Sequence, residues 1–325
     1  MRPSPAQLVM TTVQEKETTG TGSARPRRSL HRTPWPVVIL FLIPALALYC
    51  LFVLYPIAQS IRYSGYDWNG LEPLNQWVGL QNFIDAFTEP EFLEALSHNA
   101  IIVVLSLALQ LPFALALAVM LNQQLKGRAL LRTLYFAPYI LSEVVTGVVW
   151  RQMLRPGGFL DTTLASAGGE SVVREWLGDP EVVLYSLFFV ISWKYFGFHM
   201  ILLMAGLQTI PGELDEAAAI DGANWWDTFR YITLPLLGPT IRVSVFLSII
   251  GSLQLFDLVW VTTRGGPINA SSTMATYLVD SAFRRGQFGY ASAVSVIVFV
   301  LSLIVALLYQ RFVLRRDLEG ALTGA

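Results

Sequence analysis

The sequence is poor in charge and in cysteine. Only 14% of its 325 residues are Asp, Glu, Lys or Arg, whereas 54% are hydrophobic and the mean hydropathy is +0.52. A soluble domain carries about 25% charged residues, so this shortage excludes an ordinary soluble protein and indicates a chain that is largely solvated by lipid. The single cysteine, Cys50, excludes an internal disulfide and a cysteine-based metal cluster.

Several chemical motifs are also missing. The formal net charge of -1 excludes the basic excess of a nucleic-acid-binding protein. The chain has three lysines and no phosphate-binding loop of the form G-x-x-x-x-G-K-[ST], so any ATP hydrolysis must come from another chain. Neither H-E-x-x-H nor G-x-S-x-G occurs. We therefore predict no enzymatic activity, no cofactor and no metal.

What the sequence does have is long apolar runs. A helix needs about 20 apolar residues to cross the hydrocarbon core. Six candidate runs occur, at residues 37–55, 100–121, 134–154, 183–207, 240–261 and 293–309. The first follows a basic stretch, as a signal peptide would, but it is longer than a signal peptide core of roughly 7–15 residues. We interpret it as an anchor and predict an all-α membrane protein with six transmembrane helices.

The distribution of positive charge predicts the orientation. With the N-terminus inside, thirteen of the 22 Lys and Arg residues lie on the cytoplasmic side and six lie in outer loops. Because positive residues near helix ends remain in the cytoplasm, both termini are predicted to be cytoplasmic. Residues 1–34 lack apolar periodicity and are predicted to be a disordered cytoplasmic tail. The six-helix domain then covers 35–316, and 317–325 form a second cytoplasmic tail.

The segment between the fourth and fifth runs, at residues 208–236, is unusually acidic and is called the acidic segment below. Acidic residues after Pro211 favour the positive end of a helix. Gly222 suits the left-handed position that ends this helix, Asn224 suits the cap of a second one, and Pro235 closes the unit. The pattern predicts a helix, a glycine turn and a second helix at the cytoplasmic surface.

Two interpretations of the acidic segment remain open from the residues alone. Three alanines beside Glu216 give a low surface on which a basic partner would pack closely, with the carboxylate bonded to an arginine. Alternatively, the segment only connects two helices and folds back on its own membrane surface. The distribution of positive residues sets the orientation of a membrane protein, and acidic residues contribute little. An acidic cytoplasmic loop therefore needs no partner to explain it.

The acidic segment resembles a known signature. Residues 216–223 (EAAAIDGA) and 232–235 (ITLP) are similar to the EAA signature of the membrane subunits of bacterial ABC importers. Four further stretches resemble the carbohydrate-uptake subfamily, which includes MalF-type permeases: 210–214, 256–257, 265–267 and 288–291. The likeness extends over roughly 35–316. It implies a MetI/MalF-type ABC permease fold in a bacterial inner membrane.

The resemblance also implies roles and partners. The EAA segment would be a coupling helix: Glu216 would pair with an ATPase arginine, Ala217 and Ala218 would allow close packing, and Gly222 would set the turn. Asp221 and Pro235 complete the matched pattern. The implied partners are a second homologous permease subunit, two ABC ATPase subunits and an extracellular solute-binding protein.

Polar residues within the runs are candidates for a solute path, because such residues are costly in lipid. Lys194, Tyr195 and Phe198 lie in the fourth run, while Gln254 and Asp257, three residues apart, are predicted on one face of the fifth helix. In the maltose permease, the corresponding parts of the fourth and fifth helices line the sugar pocket. The resemblance therefore implies that these residues line a solute path in this chain. The alternative is a buried Lys–Asp or Lys–Glu pair that only holds helices together. The pattern slightly favours this alternative for Glu143 and gives no preference for Lys194.

The sequence therefore predicts a permease subunit of an ATP-driven importer for a sugar or a related polyol. His199, in the fourth run, fits a pore or a helix contact equally well. Six spans also suit a secondary transporter driven by an ion gradient, although such a carrier does not need the acidic segment. A membrane-embedded enzyme has little support because the sequence contains none of the catalytic motifs considered above.

Overall fold

The computed structural model describes residues 35–123, 125–169 and 173–314. The predicted tails at 1–34 and 317–325 lie outside these residues. Within them, every regular element is helical, apart from one isolated antiparallel bridge between Tyr66 and Trp77. The predicted all-α class is confirmed for the described part of the chain.

The chain divides into two units, residues 1–55 and 56–325. The first contains α1 (Trp35–Tyr49) and a π-helical turn (Cys50–Leu54). The helices that follow are α2 (Tyr55–Tyr63), α3 (Gln81–Thr88), α4 (Pro90–Leu105), α5 (Leu111–Asn122), α6 (Arg128–Ile140), α7 (Glu143–Met153), α8 (Phe159–Ser166), α9 (Val183–Leu207), α10 (Glu213–Ile220), α11 (Trp225–Thr228), α12 (Leu234–Leu236), α13 (Gly238–Leu253), α14 (Asp257–Thr262), α15 (Met274–Phe283) and α16 (Phe288–Tyr309). Further π-helical turns occupy Ser106–Gln110, Phe229–Thr233 and Gln310–Leu314.

Four helices are long and apolar enough to cross a bilayer. They cover Val38–Tyr63, Pro90–Asn122, Val183–Leu207 and Phe288–Leu314. Two further pairs of helices pass the same test only as bent units. One is α6 with α7, bent by 97°, and the other joins Trp225–Leu236 to α13 with a bend of 66°. The described chain thus has four candidate spans, or up to six if each bent pair counts as one.

The third predicted run, 134–154, is not one helix. The backbone becomes extended at Leu141 and Ser142, with ψ near 143° and 150°, directly after a last turn that contains Pro138. The Ser142 hydroxyl then accepts a hydrogen bond from the Val145 N–H at 3.2 Å and starts α7 as its N-cap. A serine inside an apolar run was therefore the signal of a helix start.

The fifth predicted run, 240–261, also contains a break, because α13 ends at Leu253 and α14 begins at Asp257. Side chains from other helices bond the carbonyls near this break. The Asn99 amide nitrogen donates to the Ser252 carbonyl at 2.7 Å, and the Thr273 hydroxyl donates to the Leu255 carbonyl at 2.8 Å. Such partners satisfy groups that lipid would leave unbonded.

Helix α9 is the most buried of the four spans, with 61% of its apolar window inside the chain. It contributes to two of the buried apolar clusters, one with α4, α7 and α14 and one with α5. Gly197 brings α9 against α6, since a Cβ atom there would lie 1.9 Å from the Tyr135 carbonyl oxygen. Helix α9 therefore positions the helices around it.

A group of ion pairs ties the start of α4 to the end of α15. Arg284 and Arg285 donate to the Asp280 carboxylate at 2.6 and 3.3 Å, and Arg285 also donates to Glu91. Burial alone lowers the pKa of Arg285, but the hydrogen bonds and charges of its partners outweigh this and raise the pKa above the usual value. Arg285 therefore stays charged at any physiological pH.

The close approach at Gly197 generates a first prediction. Gly197→Ala should force α6 and α9 apart and destabilise the chain by about 1–3 kcal/mol, the usual cost of overpacking. Gly251→Ala is the matched control, because a Cβ at this helical glycine has no atom within 4 Å. Thermal unfolding of the purified chain in lipid nanodiscs measures both, and equal transition temperatures for the two variants would contradict the packing described here.

Candidate functional site

A cavity of about 250 Å³ lies between α4, the π-helical turn after it, α6, α9 and α13. Its lining consists of polar and aromatic side chains together with apolar ones: Ile102, Ser106, Gln110, Tyr139, Ile191, Tyr195, Phe198, His199, Leu247, Ser248, Gly251, Ser252 and Leu255. The lining contains no Asp, Glu, Lys or Arg. It therefore offers hydrogen bonds and aromatic faces rather than a full charge.

The π-helical turn Ser106–Gln110 places two polar side chains in this cavity. Such single turns arise inside α-helices and are frequent at functional sites. Only 4% of Gln110 is exposed, and among the described residues no hydrogen-bond partner meets its amide. Because Gln110 lines the cavity, its amide offers two donors and an acceptor to a ligand.

Helix α13 provides a line of buried hydroxyl groups. Ser244, Ser248 and Ser252 are four residues apart and all buried, and the last two line the cavity. The His199 Nδ1 atom lies 2.7 Å from the Ser244 hydroxyl oxygen, which fixes the imidazole ring at the cavity edge. His199 therefore serves both of the roles that its sequence position left open, since it faces the cavity and also joins two helices.

The aromatic wall of the cavity is formed by α6 and α9. The Tyr139 ring stacks on Phe198 with centroids 4.9 Å apart and an interplanar angle of 24°, and it meets Tyr195 edge-on at 6.1 Å. The Tyr195 hydroxyl donates to the Glu143 carboxylate. Aromatic faces beside amide and hydroxyl groups are suited to a hydroxyl-rich solute, whose C–H faces are apolar and whose edges are polar.

The acidic segment has the predicted helix, turn and helix. Gly222 has φ +83°, and the Ala223 N–H donates to the Ala218 carbonyl at 2.9 Å, which closes the C-terminus of α10. The Asn224 side-chain oxygen accepts from the N–H groups of Trp226 at 2.9 Å and Asp227 at 3.1 Å, which caps α11. Both caps are local, and this explains why the sequence alone predicted them.

The exposed surface of α10 combines acidic and small side chains. Glu216, Ala217 and Asp221 are exposed, and Ile220 is exposed to 87%. Ala218, in contrast, is only 6% exposed. The Ala218 methyl group therefore packs inside the chain and is not available to an external partner, which corrects the contact role that the resemblance implied for it.

Residues 92–317 match the model of the binding-protein-dependent transport system inner membrane component family. The chain belongs to this family. The match includes the cavity lining and the whole acidic segment, so both features lie within the family domain.

Relatives of this inner membrane component carry sugar-related names. The chain is 36% identical to the lactose transport system permease protein LacF of Rhizobium radiobacter, over 83% of this chain and 90% of the relative. It is 32% identical to the trehalose/maltose transport system permease protein MalF of Thermococcus litoralis, over 84% and 92%. A chain of a bacterial ABC transporter involved in the import of alginate shares the fold, with a TM-score of 0.76 at 24% identity, covering 86% of this chain and 95% of that one.

Of the five residues that the sequence predicted to line a solute path, only two line the cavity. Tyr195 and Phe198 line the cavity, whereas Lys194 does not, because its ammonium donates to the Leu141 carbonyl at 2.6 Å. Gln254 and Asp257 are exposed and lie outside the lining. The prediction that both lie on one helix was wrong, since α13 ends before Gln254 and α14 starts at Asp257.

Sequence reasoning missed several lining residues. Ser106, Gln110, Tyr139, Ser248 and Ser252 line the cavity but were not among the predicted path residues. The spacing of four between the α13 serines was the available signal. In the described ranges, no group of three or more His, Cys, Asp or Glu residues is arranged to hold a metal.

The turn of the acidic segment generates a second prediction. A Cβ at Gly222 would meet no atom within 4 Å, so Gly222→Ala has only a conformational cost, about 1–2 kcal/mol for a left-handed residue. Gly222→Asn should be nearly neutral because asparagine tolerates this conformation. Hydrogen exchange of residues 213–228 should quicken in the alanine variant and remain unchanged in the asparagine variant. Equal exchange in both would show that the left-handed turn does not hold the segment.

Proposed function

We propose that this chain is a membrane-spanning subunit of an ATP-driven ABC importer for a sugar or a related polyol or oligosaccharide. The single observation that supports it best is the cavity, in which an unpartnered amide, a row of hydroxyl groups and stacked aromatic rings surround a space without full charges. The family match and the sugar-related names of its relatives point the same way.

In the proposed topology, the chain crosses the bacterial inner membrane six times, with each bent pair counted as one span and both termini in the cytoplasm. Residues 35–316 form the permease domain. The cavity of about 250 Å³ lies just below the roughly 300–1,000 Å³ of complete small-molecule sites. We infer that a second homologous permease supplies the other half of the translocation path, and that an extracellular solute-binding protein delivers the solute.

The acidic segment is proposed to couple this path to two ATPase subunits. Glu216 and Ala217 lie on the exposed side of α10, near Asp221, where a basic cleft of an ATPase would accept them. Gly222 sets the direction of the second helix, and Pro235 begins the return towards the membrane. Coupling requires that the ATPase contacts differ between two states of the permease, so a rigid surface at α10 favours transmission of movement.

The source of energy distinguishes this proposal from an ion-gradient carrier. The test is uptake of radiolabelled lactose, maltose, trehalose and diacetylchitobiose, the sugars named for relatives. An ATPase-inactive background should abolish uptake, whereas an uncoupler that leaves ATP intact should not. The opposite pattern would establish the ion-gradient carrier instead.

Charge at Glu216 provides a third prediction. Loss of one charge-assisted hydrogen bond costs about 2 kcal/mol, so Glu216→Lys should weaken binding of the ATPase by roughly thirtyfold or more. Asp215→Asn is the matched control, because Asp215 lies in the same first turn of α10 but lines a cleft towards the end of α5. Co-purification of the ATPase with a tagged chain measures both variants. Full recovery of the ATPase with Glu216→Lys would remove the proposed contact.

The Gln110 amide provides a fourth prediction. Gln110→Leu removes its hydrogen-bonding groups at similar size and should raise the half-saturation concentration for uptake about two- to tenfold, since a hydrogen bond contributes about 0.5–1.5 kcal/mol. Gln59→Leu is the matched control, because it makes the same substitution at a glutamine whose side-chain oxygen has no partner but which does not line the cavity. Equal half-saturation concentrations in the two variants would exclude Gln110 from solute binding.

A further inference from the structure

The corner between α6 and α7 interrupts a candidate membrane helix, so other residues must bond the backbone groups that the interruption leaves without partners. Helix α6 ends at Ile140, α7 begins at Glu143, and the two axes differ by 97°. The last carbonyl groups of a helix and the first N–H groups of the next have no partner within their own helices. The Ser142 hydroxyl oxygen accepts a hydrogen bond from one of those N–H groups. The carbonyl groups at the end of α6 need hydrogen-bond donors instead.

Two consecutive residues of α9 hold the two sides of this corner. The Lys194 ammonium donates to the Leu141 carbonyl oxygen at 2.6 Å, at the end of α6. The Tyr195 hydroxyl donates to the carboxylate of Glu143, the first residue of α7. Because both donors belong to one continuous helix, they fix the position of one helix end relative to the other.

The burial of Lys194 shows that this bond is not incidental. Only 3% of Lys194 is exposed, and a charged group at this depth is costly unless carbonyl groups or opposite charges compensate it. The hydrogen bond to the Leu141 carbonyl and the electrostatic attraction of Glu143 offset part of this cost. We propose that Lys194 is a positioning residue, which fixes the corner after α6 and thereby sets the aromatic wall of the solute cavity.

The corner is connected to the cavity through Tyr139. This residue lies two positions before Leu141, lines the cavity and stacks on Phe198. One turn earlier, α6 is already fixed against α9 by the contact between Gly197 and the Tyr135 carbonyl. Lys194 therefore controls the last turn of α6, which carries Tyr139, while Lys194 itself stays outside the lining.

This role rests on the proposed function only where it concerns the solute. It replaces the sequence-based prediction that Lys194 contacts the solute. The alternative of a buried ion pair predicted that Lys194 joins two helices through a carboxylate. The Lys194 ammonium instead donates its hydrogen bond to a backbone carbonyl at a helix break. The glutamate instead accepts from Tyr195. Lys194 and Glu143 thus act on the two sides of one corner.

The first test measures the corner directly and needs no solute. In a Cys50→Ser background, which is free of cysteine, spin labels at the exposed positions Ile140 and Val144 flank the corner. Dipolar broadening of the spectrum in lipid nanodiscs reports their separation. The parent should show strong broadening, Lys194→Met should lose most of it, and Lys194→Arg should retain it because arginine also donates to carbonyl oxygens.

Tyr195→Phe provides a second variant that leaves the buried charge in its place. It removes only the bond to Glu143 and should give intermediate broadening, even if Lys194→Met fails to accumulate in the membrane. A spectrum of Lys194→Met that matches the parent would overturn the proposal. If only Tyr195→Phe is obtained and its broadening equals that of the parent, the proposal is overturned as well.

The second test asks whether Lys194 acts through Tyr139. With the sugar that the parent takes up among lactose, maltose, trehalose and diacetylchitobiose, Lys194→Met should raise the half-saturation concentration. It should add little in a Tyr139→Ala background, because two residues that act as a unit are not additive. Fully additive effects would overturn the role through Tyr139. Failure to take up any of these sugars would count against the proposed function, and the spectra would still decide the role of Lys194.

Discussion

The structure depends on one constraint, which is that backbone N–H and C=O groups at membrane depth must find partners inside the protein. The apolar runs satisfy it within their own helices. Where a run is interrupted, other helices supply the partners. Lys194 serves the carbonyl group of Leu141 at one break, and at the end of α13 Asn99 and Thr273 serve the carbonyl groups of Ser252 and Leu255. Each break therefore fixes a contact between distant parts of the chain.

The same constraint explains where the candidate solute cavity lies. Irregular backbone at membrane depth occurs where protein buries it or where it lines a cavity. The π-helical turn Ser106–Gln110 does the latter and turns an unpartnered amide inwards, while the corner after α6 brings Tyr139 to the opposite side. Several uncharged polar groups, including Gln110 and two serines of α13, are thus collected in one place, and that place is suited to a hydroxyl-rich solute.

Helix α9 links the two candidate sites. Its middle carries Tyr195, Phe198 and His199 on the cavity, and its end at Leu207 leads directly into the acidic segment. The acidic segment is held by local caps at Gly222 and Asn224, so it keeps its shape independently of the cavity. A locally capped surface that follows directly from a buried helix is the arrangement that the proposed coupling requires.

The sequence alone determined the all-α class, the apolar runs and the helix, turn and helix of the acidic segment, because hydropathy, capping and a left-handed glycine act over a few residues. Only the tertiary structure decided the corner at Leu141, the break after Leu253 and the cavity lining. Lys194 lies 53 residues from the carbonyl that it binds, and Asn99 lies 153 residues from its own. The neighbouring residues in sequence do not indicate such distant partners. The polarity of Lys194 and Gln254 therefore made them candidates, but it could not show which way either side chain faces.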